Sequence, residues 1–293
     1  MRAVGRPDPR KTRLLSAGSM LAVLLCAVPA SAQLAEPNAA GVSMGHLHYQ
    51  VRDVEANKRF WMALGGQPAA AGDAVIVKFP DVIVFLAAAP SSGGTEGSVL
   101  NHVAFRVPSL SSVEAAGLSV ARLAQFPGVA SVRSPEGERI ELFENAATNL
   151  TFTQDAGHSD TAAERHNRPL ASPVAFHHVH LYLPSGQVGE AKAWYTRMFG
   201  GVPGKRSNYD AVDLPGINLN FSEAPKPVVP TSGRMLDHIG FEVRGLEAFC
   251  RRLQSMGVIF DRPYGKDGSG IASARLTDPW GTSIELTEGL ARL

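Results

Sequence analysis

The chain of 293 residues is 44% hydrophobic and 19% charged, a composition typical of globular proteins and sufficient for two domains. Its formal net charge is only +1, and the basic surplus lies in the first 32 residues. The remainder therefore offers no strongly basic surface, and we expect no nucleic-acid partner.

Residues 1–32 are predicted to be a signal peptide. Basic residues up to Arg13 precede an apolar stretch over residues 14–29, and a small-residue cleavage site at Ala30 to Ala32 precedes Gln33. The alternative is a retained membrane anchor, but the apolar stretch is shorter than the roughly 20 residues that a span needs. We expect a periplasmic or secreted protein with no membrane attachment after cleavage.

Cleavage would remove Cys26 and leave Cys250 alone. A single cysteine cannot form an internal disulfide. Cys250 lies in an amphipathic helical pattern over residues 246–253, so we expect it in the core rather than in a reactive site.

The first half of the remaining chain reads as two similar units. Residues 33–41 are predicted to be a tail, and residues 42–145 a first domain. Strand and helix patterns follow in the order 45–51 (strand), 54–64 (helix), 74–79 and 82–87 (strands), then 101–107 (strand), 109–117 (helix) and a last strand at 139–143. Each series is typical of a βαβββ unit.

The same order returns in the second half. Residues 146–173 are polar and irregular and are predicted to be a linker, and residues 174–293 a second domain. Its patterns are 176–183 (strand), 188–199 (helix), 209–213 and 217–221 (strands), then 238–243 (strand), 246–256 (helix) and 283–287 (strand). The repeat predicts an α+β fold class with two tandem domains, each made of paired βαβββ units.

The first strand of each half carries alternating histidines. His46, His48 and Gln50 share one face of the first strand, and His178, His180 and Tyr182 share one face of its repeat, because side chains alternate along a strand. The opposite face is apolar in both copies. One face of each strand is therefore predicted to carry the functional side chains, and the other to pack in the core.

A histidine also opens the fourth strand pattern of each half, and a glutamate lies in the last. We group these residues by domain as His46, His102 and Glu141 in the first half, and His178, His238 and Glu285 in the second. Two imidazoles and one carboxylate on separate strands suit a divalent first-row metal with positions left open. The alternative is that these are ordinary half-buried polar residues, although their recurrence in both copies favours at least one metal site.

In these repeated units, and in the positions of the histidines and glutamates on their strands, the chain resembles the vicinal oxygen chelate superfamily. That superfamily contains glyoxalase I, extradiol dioxygenases and bleomycin resistance proteins. The resemblance implies that two glyoxalase-like units curl into an incomplete barrel around the metal in each domain, with the two groups of residues just named as ligands. It implies a divalent metal cofactor, Fe, Mn, Ni or Zn. The fourth, glutamate ligand of glyoxalase I has no counterpart here, nor have the acid/base histidine and tyrosine of the dioxygenases.

Three functions remain open at the sequence level. The first is an enzyme, a lyase, isomerase or dioxygenase, that chelates a small substrate through neighbouring oxygens; the second is a binding protein without turnover, and the third a module that holds metal for stability. For the enzyme, we expect a monomer or homodimer with more of the chemistry in the second domain. Its catalytic candidates are His48, His180 and Tyr182, and its substrate-binding candidates are Gln50, Asn218 and Asn220.

Overall fold

The structure is a computed structural model that describes residues 33–144, 151–157 and 174–293. The predicted signal peptide and most of the predicted linker lie outside the described residues. Within those residues, no helix is long and apolar enough to cross a membrane.

The first half contains the two predicted βαβββ units, each with a full set of four strands. Unit 1 comprises β1 (Val42–Val51), α1 (Val54–Ala63), β2 (Gln67–Ala71), β3 (Ala74–Phe79) and β4 (Val82–Ala88). Unit 2 comprises β5 (Leu100–Val107), α2 (Leu110–Ala115), β6 (Ala121–Arg122), β7 (Val129–Arg133) and β8 (Arg139–Glu144).

The second half repeats the arrangement after a short strand, β9 (Phe152–Gln154). Unit 3 comprises β10 (Ala175–Leu183), α3 (Val188–Phe199), β11 (Val202–Arg206), β12 (Tyr209–Leu214) and β13 (Ile217–Glu223). Unit 4 comprises β14 (Leu236–Val243), α4 (Leu246–Ser255), β15 (Phe260–Lys266), β16 (Ala272–Thr277) and β17 (Ser283–Glu288), and a short 3-10 helix (Leu290–Arg292) ends the chain. The predicted α+β fold of four repeated units is confirmed.

Capping residues set the helix boundaries. The Asp53 side chain accepts a hydrogen bond from the Ala56 N–H at 2.8 Å and so begins α1. The α3 helix ends at Gly200, whose φ of 68° is the left-handed conformation that glycine adopts without strain. These local signals are legible in the sequence, which is why the predicted and observed helices agree closely.

The sheets join units that are distant in sequence. One sheet has eight strands in the order β15-β16-β17-β14-β1-β4-β3-β2, so it combines unit 4 with unit 1. The other has nine strands in the order β6-β7-β8-β5-β10-β13-β12-β11-β9 and combines unit 2 with unit 3. The topology therefore corrects the predicted pairing of units within residues 42–145 and within residues 174–293.

The two seams between units have the same geometry. Strands β1 and β14 run antiparallel with His48 opposite His238, and β10 and β5 run antiparallel with His180 opposite His102. On the far side of each seam, β17 and β8 lie parallel to β14 and β5. Each seam thus brings the histidine strands of two units side by side.

Units adjacent in sequence meet through their cores instead. The Trp61 ring on α1 contacts Phe105 on β5 with ring centroids 5.8 Å apart, and Phe199 on α3 contacts Phe241 on β14 at 4.8 Å. All four rings are buried. Burial of such aromatic surface stabilises the association of the two sheets, while the hydrogen-bonded ladders run between distant units.

Two segments predicted to be irregular are held in place. Asn38, in the predicted tail, donates to the Phe199 and Gly200 carbonyls at 3.0 Å each. Within the predicted linker, β9 pairs with β11 and buries Phe152. The described part of each segment is therefore held against another part of the chain.

Candidate metal centres

The first centre lies on the eight-stranded sheet, at the seam between units 1 and 4. His46 on β1 and Glu285 on β17 both lie in register with Gly240 on β14, and His238 lies two residues before that glycine. The Glu285 Oε2 atom is 3.1 Å from His46 Nε2 and 3.3 Å from His238 Nε2. We call this cluster of His46, His238 and Glu285 centre 1.

Gly240 makes this approach sterically feasible. A Cβ atom at residue 240 would overlap the His46 ring, which lies directly over the glycine. Because residue 240 has no side chain, the His46 ring can lie across β14 and reach the Glu285 carboxylate on β17.

Asp237 orients the His238 ring. Its Oδ2 atom lies 2.7 Å from His238 Nδ1, and its Oδ1 atom accepts hydrogen bonds from Gln50 Nε2 at 3.0 Å and from the Gly233 N–H. A carboxylate at Nδ1 places the proton of a neutral imidazole there and leaves the lone pair on Nε2. That lone pair faces Glu285 Oε2, so His238 is prepared as a metal ligand.

The charges of centre 1 are those of a ligand set. Burial lowers the pKa of His46, and that of His48 beside it is about 3, because burial and then the neighbouring His238 and His46 oppose a positive charge. Burial alone would raise the pKa of Glu285, but the contacts of its carboxylate with His238 and His46 outweigh it and hold that pKa well below its usual range. At neutral pH His46 and His48 are neutral and Glu285 is ionised.

Two arginines lie on the outer side of the glutamate. Arg262 forms an ion pair with Glu285 Oε1, and Arg275 Nη2 lies 4.0 Å from the same oxygen. Arg275 Nη2 is also 3.1 Å from both ring nitrogens of His238. The two carboxylate oxygens therefore have different surroundings, with Oε2 facing the histidines and Oε1 facing the arginines.

A cavity of about 510 Å³ opens onto centre 1. It is of the size that small-molecule sites have. Its lining joins the centre to polar and apolar groups of both units and includes His46, His48, Phe85, Arg262, Ser273 and Glu285.

The second centre occupies the equivalent seam of the nine-stranded sheet. Glu141 Oε2 lies 3.3 Å from His102 Nε2 and 3.6 Å from His178 Nε2. Both of these ring nitrogens are buried and make no hydrogen bond within the described residues. We call His102, His178 and Glu141, together with the adjacent His180, centre 2.

The surroundings of centre 2 differ from those of centre 1. Asn101 replaces the orienting aspartate, with its Oδ1 atom 2.8 Å from His102 Nδ1, and Arg139 Nη2 lies 2.6 Å from the same nitrogen. His178 Nδ1 contacts the ring nitrogen of the neighbouring His177 at 2.7 Å. The negative charge that orients His238 in centre 1 is therefore absent beside His102.

Centre 2 also opens onto a cavity, of about 360 Å³. Its mouth is more aromatic than that of the first cavity. The lining includes Phe126, Arg139, Tyr182, Arg206, Tyr209 and Asn220, in addition to the residues of the centre.

The structure brings together all six predicted ligands but in different groups. His46 meets His238 and Glu285 rather than His102 and Glu141, and His178 meets His102 and Glu141 rather than His238 and Glu285. The grouping by domain is corrected because the histidine strands pair across the two halves. Each centre takes one ligand from one half of the chain and two from the other.

The other predicted site residues fall into two classes. His48 borders the first cavity, and His180, Tyr182 and Asn220 border the second. Gln50 instead holds Asp237 behind His238. Asn218 accepts a hydrogen bond from Arg206 Nε at 3.0 Å and is fully buried. Gln50 and Asn218 thus support neighbouring side chains and do not line the described cavities.

Both centres fit a divalent metal. Ligand atoms about 2.1 Å from one ion lie roughly 3.0–3.4 Å apart, which matches the separations around Glu285 and approaches those around Glu141. In the tautomer with its proton on Nδ1, toward Asp237, His238 has no proton on Nε2 to donate to Glu285. A metal at Nε2 would satisfy both neighbours.

The strands that follow the helices of units 1 and 3 place no carboxylate opposite the first histidine of either described centre. Strand β4 presents Ile83 opposite His46, and strand β13 presents Asn218 opposite His178. Each described centre thus has a single glutamate, as the sequence predicted.

The sequence did not identify the residues that form hydrogen bonds or ion pairs with the ligand side chains. Asp237 and Asn101 each directly precede a ligand histidine in the repeated frames, and that recurrence is a usable signal. Arg139 lies two residues before Glu141 on the same strand face. Arg262 and Arg275 have no such local signal, because β15 and β16 bring them to Glu285 only through sheet pairing.

Comparison with known proteins agrees with this architecture. A family model of the Glyoxalase/Bleomycin resistance protein/Dioxygenase superfamily matches residues 175–286. Glyoxalase I from Zea mays is similar in structure, with a TM-score of 0.59 and 16% identity over 86% of this chain and 94% of the maize chain. A Bacillus subtilis protein provisionally assigned as a dioxygenase has a TM-score of 0.59 and 15% identity, over 88% of each chain.

No curated protein sequence matches the chain. At identities near 15%, the structural likeness shows a shared fold. The roles of the site residues therefore rest on the geometry of the site in this chain.

Proposed function

Residues 175–286 match the glyoxalase/bleomycin resistance protein/dioxygenase superfamily, and the described residues have the fold of the solved structures that they resemble; on this premise, we propose that the protein is a metal-dependent enzyme. Its substrate is a small molecule that is bound through two neighbouring oxygen atoms. The reaction is a lyase, isomerase or dioxygenase reaction of the kind this superfamily performs.

The convergence of His46, His238 and Glu285 beside a cavity that His46 and Glu285 line carries this proposal. Two imidazoles and one ionised carboxylate come from three strands and meet within hydrogen-bonding distance. They occupy one side of the centre and leave the cavity side for substrate. A metal held there would act as a Lewis acid on a bound substrate oxygen.

The chain itself supplies the remaining functional groups at centre 1. His48 is neutral and borders the cavity two residues beyond His46, where it accepts a hydrogen bond from the substrate. Arg262 borders the same cavity beside Glu285 and favours substrates with negative charge next to the chelating oxygens. Phe85 supplies an apolar wall.

We further propose that the enzyme acts outside the cytoplasm after removal of residues 1–32. The basic, apolar and small-residue segments of that stretch support this proposal. Fractionation of cells that express the full chain, with the N-terminal residue of the exported protein determined by mass spectrometry, tests it. An intact N-terminus on cytoplasmic protein contradicts it.

Metal content and activity test the proposed function together. We expect metal bound at centre 1 of the untagged protein, as measured by inductively coupled plasma mass spectrometry, and loss of that metal in His238→Ala. Turnover of hemithioacetals, compared between metal-free protein and protein to which the metal has been returned, tests for a lyase. Oxygen consumption with catechols tests for a dioxygenase. Cys250→Ser provides a control variant at a residue that belongs to neither centre and lines neither cavity.

Two results would count against an enzyme. Failure of Fe(II), Mn(II), Ni(II) and Zn(II) all to bind centre 1 contradicts the metal-dependent reaction. Metal binding with tight retention of a small molecule, but without turnover of any substrate class, favours the binding protein instead.

A further inference from the structure

We propose that centre 2 is a three-histidine metal site, in which His180 joins His102 and His178 as a ligand. This inference rests on the metal dependence proposed above and extends it to the second seam. One ring nitrogen from each of the three histidines lies within 4.8 Å of the other two. In centre 1 the corresponding cluster contains His46, His238 and Glu285 but not His48.

The two equivalent histidines differ in ring orientation. His48 lies flat against His238, with centroids 4.5 Å apart and an angle of 21° between the planes. His180 is tilted by 56° to His102 and by 73° to His178. A stacked ring presents its face to its neighbour, whereas a tilted ring presents an edge, and only the edge of an imidazole carries the nitrogen lone pair.

The residue opposite each histidine explains the difference. His48 is opposite Phe85 on β4 and stacks on that ring with an angle of 6° between the planes. The His48 ring is therefore held flat between Phe85 and His238. His180 is opposite Asn220 on β13, which has no aromatic face to impose a stack.

A hydroxyl group holds His180 in the tilted orientation. His180 Nε2 and Ser222 Oγ are 2.8 Å apart, while the strand position equivalent to Ser222 in unit 1 is Ala87. Hydrogen bonds of this kind fix the orientation of ligand imidazoles in metal sites. Unit 1 has no side-chain donor or acceptor at that position.

Buried atoms without partners also point to a bound ion or ligand at centre 2. The Nε2 atoms of His102 and His178 and the Oδ1 atom of Asn220 are buried, with no hydrogen-bond partner within the described residues. Asn220, His102 and His178 all line the same cavity. Leaving such atoms unsatisfied costs stability, so a species that binds them is expected.

The glutamate of centre 2 is less closely engaged than that of centre 1. Ala104 on β5 occupies the position that Gly240 has on β14, so a methyl group lies between His178 and Glu141. The His178 Nε2 to Glu141 Oε2 distance is 3.6 Å, against 3.1 Å for His46 and Glu285. A nitrogen-rich set suits Zn(II) or Co(II), so centres 1 and 2 are expected to differ in metal preference.

Co(II) titration of the metal-stripped protein, in variants that leave one centre intact, tests the inference. His238→Ala disables centre 1 and reports centre 2, and His102→Ala does the reverse. In the His238→Ala background, we expect His180→Ala to weaken Co(II) binding about 10-fold or more, since even an outer partner of a ligand is worth about 10- to 100-fold. Asn220→Phe, which introduces the aromatic residue of unit 1, is expected to act in the same direction.

His48→Ala in the His102→Ala background is the matched control. We expect it to leave the Co(II) affinity of centre 1 unchanged, because His48 is stacked rather than ligating. Ser222→Ala is the mild variant, and it should weaken binding without removing a ligand. Circular dichroism of the metal-free variants separates loss of binding from loss of fold.

The outcomes are distinct for the two proposals. Absence of Co(II) binding in His238→Ala, or equal affinity with and without His180, overturns the three-histidine site. Absence of binding in His102→Ala overturns the proposed catalytic centre and leaves the inference on centre 2 standing. If His180→Ala is misfolded without metal, unchanged affinity in both Ser222→Ala and Asn220→Phe overturns the inference.

Discussion

The His46 ring lies over Gly240 on the neighbouring strand, in the space that a Cβ atom on residue 240 would fill. Ala104 occupies the equivalent place beside His178 in the other seam. The histidine-to-glutamate distance is 3.1 Å beside the glycine and 3.6 Å beside the alanine. Close approach of side chain to backbone is what glycine permits.

Gly240→Ala is therefore expected to weaken metal binding at centre 1. The new methyl group would displace the His46 ring from Glu285, whereas the backbone at residue 240 does not have a positive φ and so accepts alanine. Metal content of the His102→Ala background measures the effect on centre 1 alone. The reciprocal change Ala104→Gly is the control, and it should leave centre 1 unaffected. Full metal occupancy in Gly240→Ala would contradict the steric account.

The repeated units were predictable because their signals are local. Alternation along the histidine strands, the glycine after α3 and the Ile-Glu-Leu frames around Glu141 and Glu285 all lie within short stretches of sequence. The helices and the strands that carry the ligands lie in such stretches, whereas short strands such as β2, β6 and β9 have no comparable signal. The residue types of the six predicted ligands followed from the same patterns.

The partner of each unit was not predictable on that basis. Strands β5 and β14 both carry a histidine, a small residue and an aromatic residue in the same order, so both match β1 equally in local pattern. Contacts specific to one pairing decide between them. At Gly45 on β1, for example, a Cβ atom would lie 2.9 Å from the Glu242 nitrogen of β14, and unit 3 has His177 at that position.

Asp237→Asn is expected to weaken metal binding at centre 1 by about 10- to 100-fold. The amide keeps the shape of the side chain but removes the charge that places the His238 proton on Nδ1. A chelator competition assay in the His102→Ala background measures the change. Asn101→Asp is the reciprocal variant, and in the His238→Ala background it should strengthen binding at centre 2. Equal affinities for the aspartate and asparagine forms would show that this charge has no role.

Tyr195→Phe is expected to destabilise the protein by about 1–3 kcal/mol at pH 7. The Tyr195 hydroxyl donates to Asp278 Oδ2 at 2.8 Å, and both side chains are buried. Its removal leaves a buried carboxylate with fewer donors. Urea unfolding measures the difference, and Tyr264→Phe is the control, because none of the described hydrogen bonds involves the Tyr264 hydroxyl.

The cost of Tyr195→Phe should decrease in acid. Burial raises the pKa of Asp278, and the hydrogen bond from Tyr195 opposes that rise. Loss of the bond therefore raises the pKa further, so the folded variant binds a proton more tightly than the unfolded chain does. Stability conferred by that proton is present at low pH and lost as pH rises through the folded pKa. A larger cost at pH 5 than at pH 7 would contradict this sign.

Cys250 should be unreactive in the folded protein. Its side chain is buried on α4, and burial raises the pKa of its thiol to about 11. Only about one thiol in 1,000 is then ionised at pH 8, against roughly one in four for a free cysteine, and the thiolate is the reactive form. With Cys26→Ser to isolate this thiol, we expect reaction with a disulfide reagent at pH 8 to be at least about 100-fold slower in the folded than in the unfolded chain. Rapid labelling without unfolding would mean that α4 does not shield Cys250 from solvent.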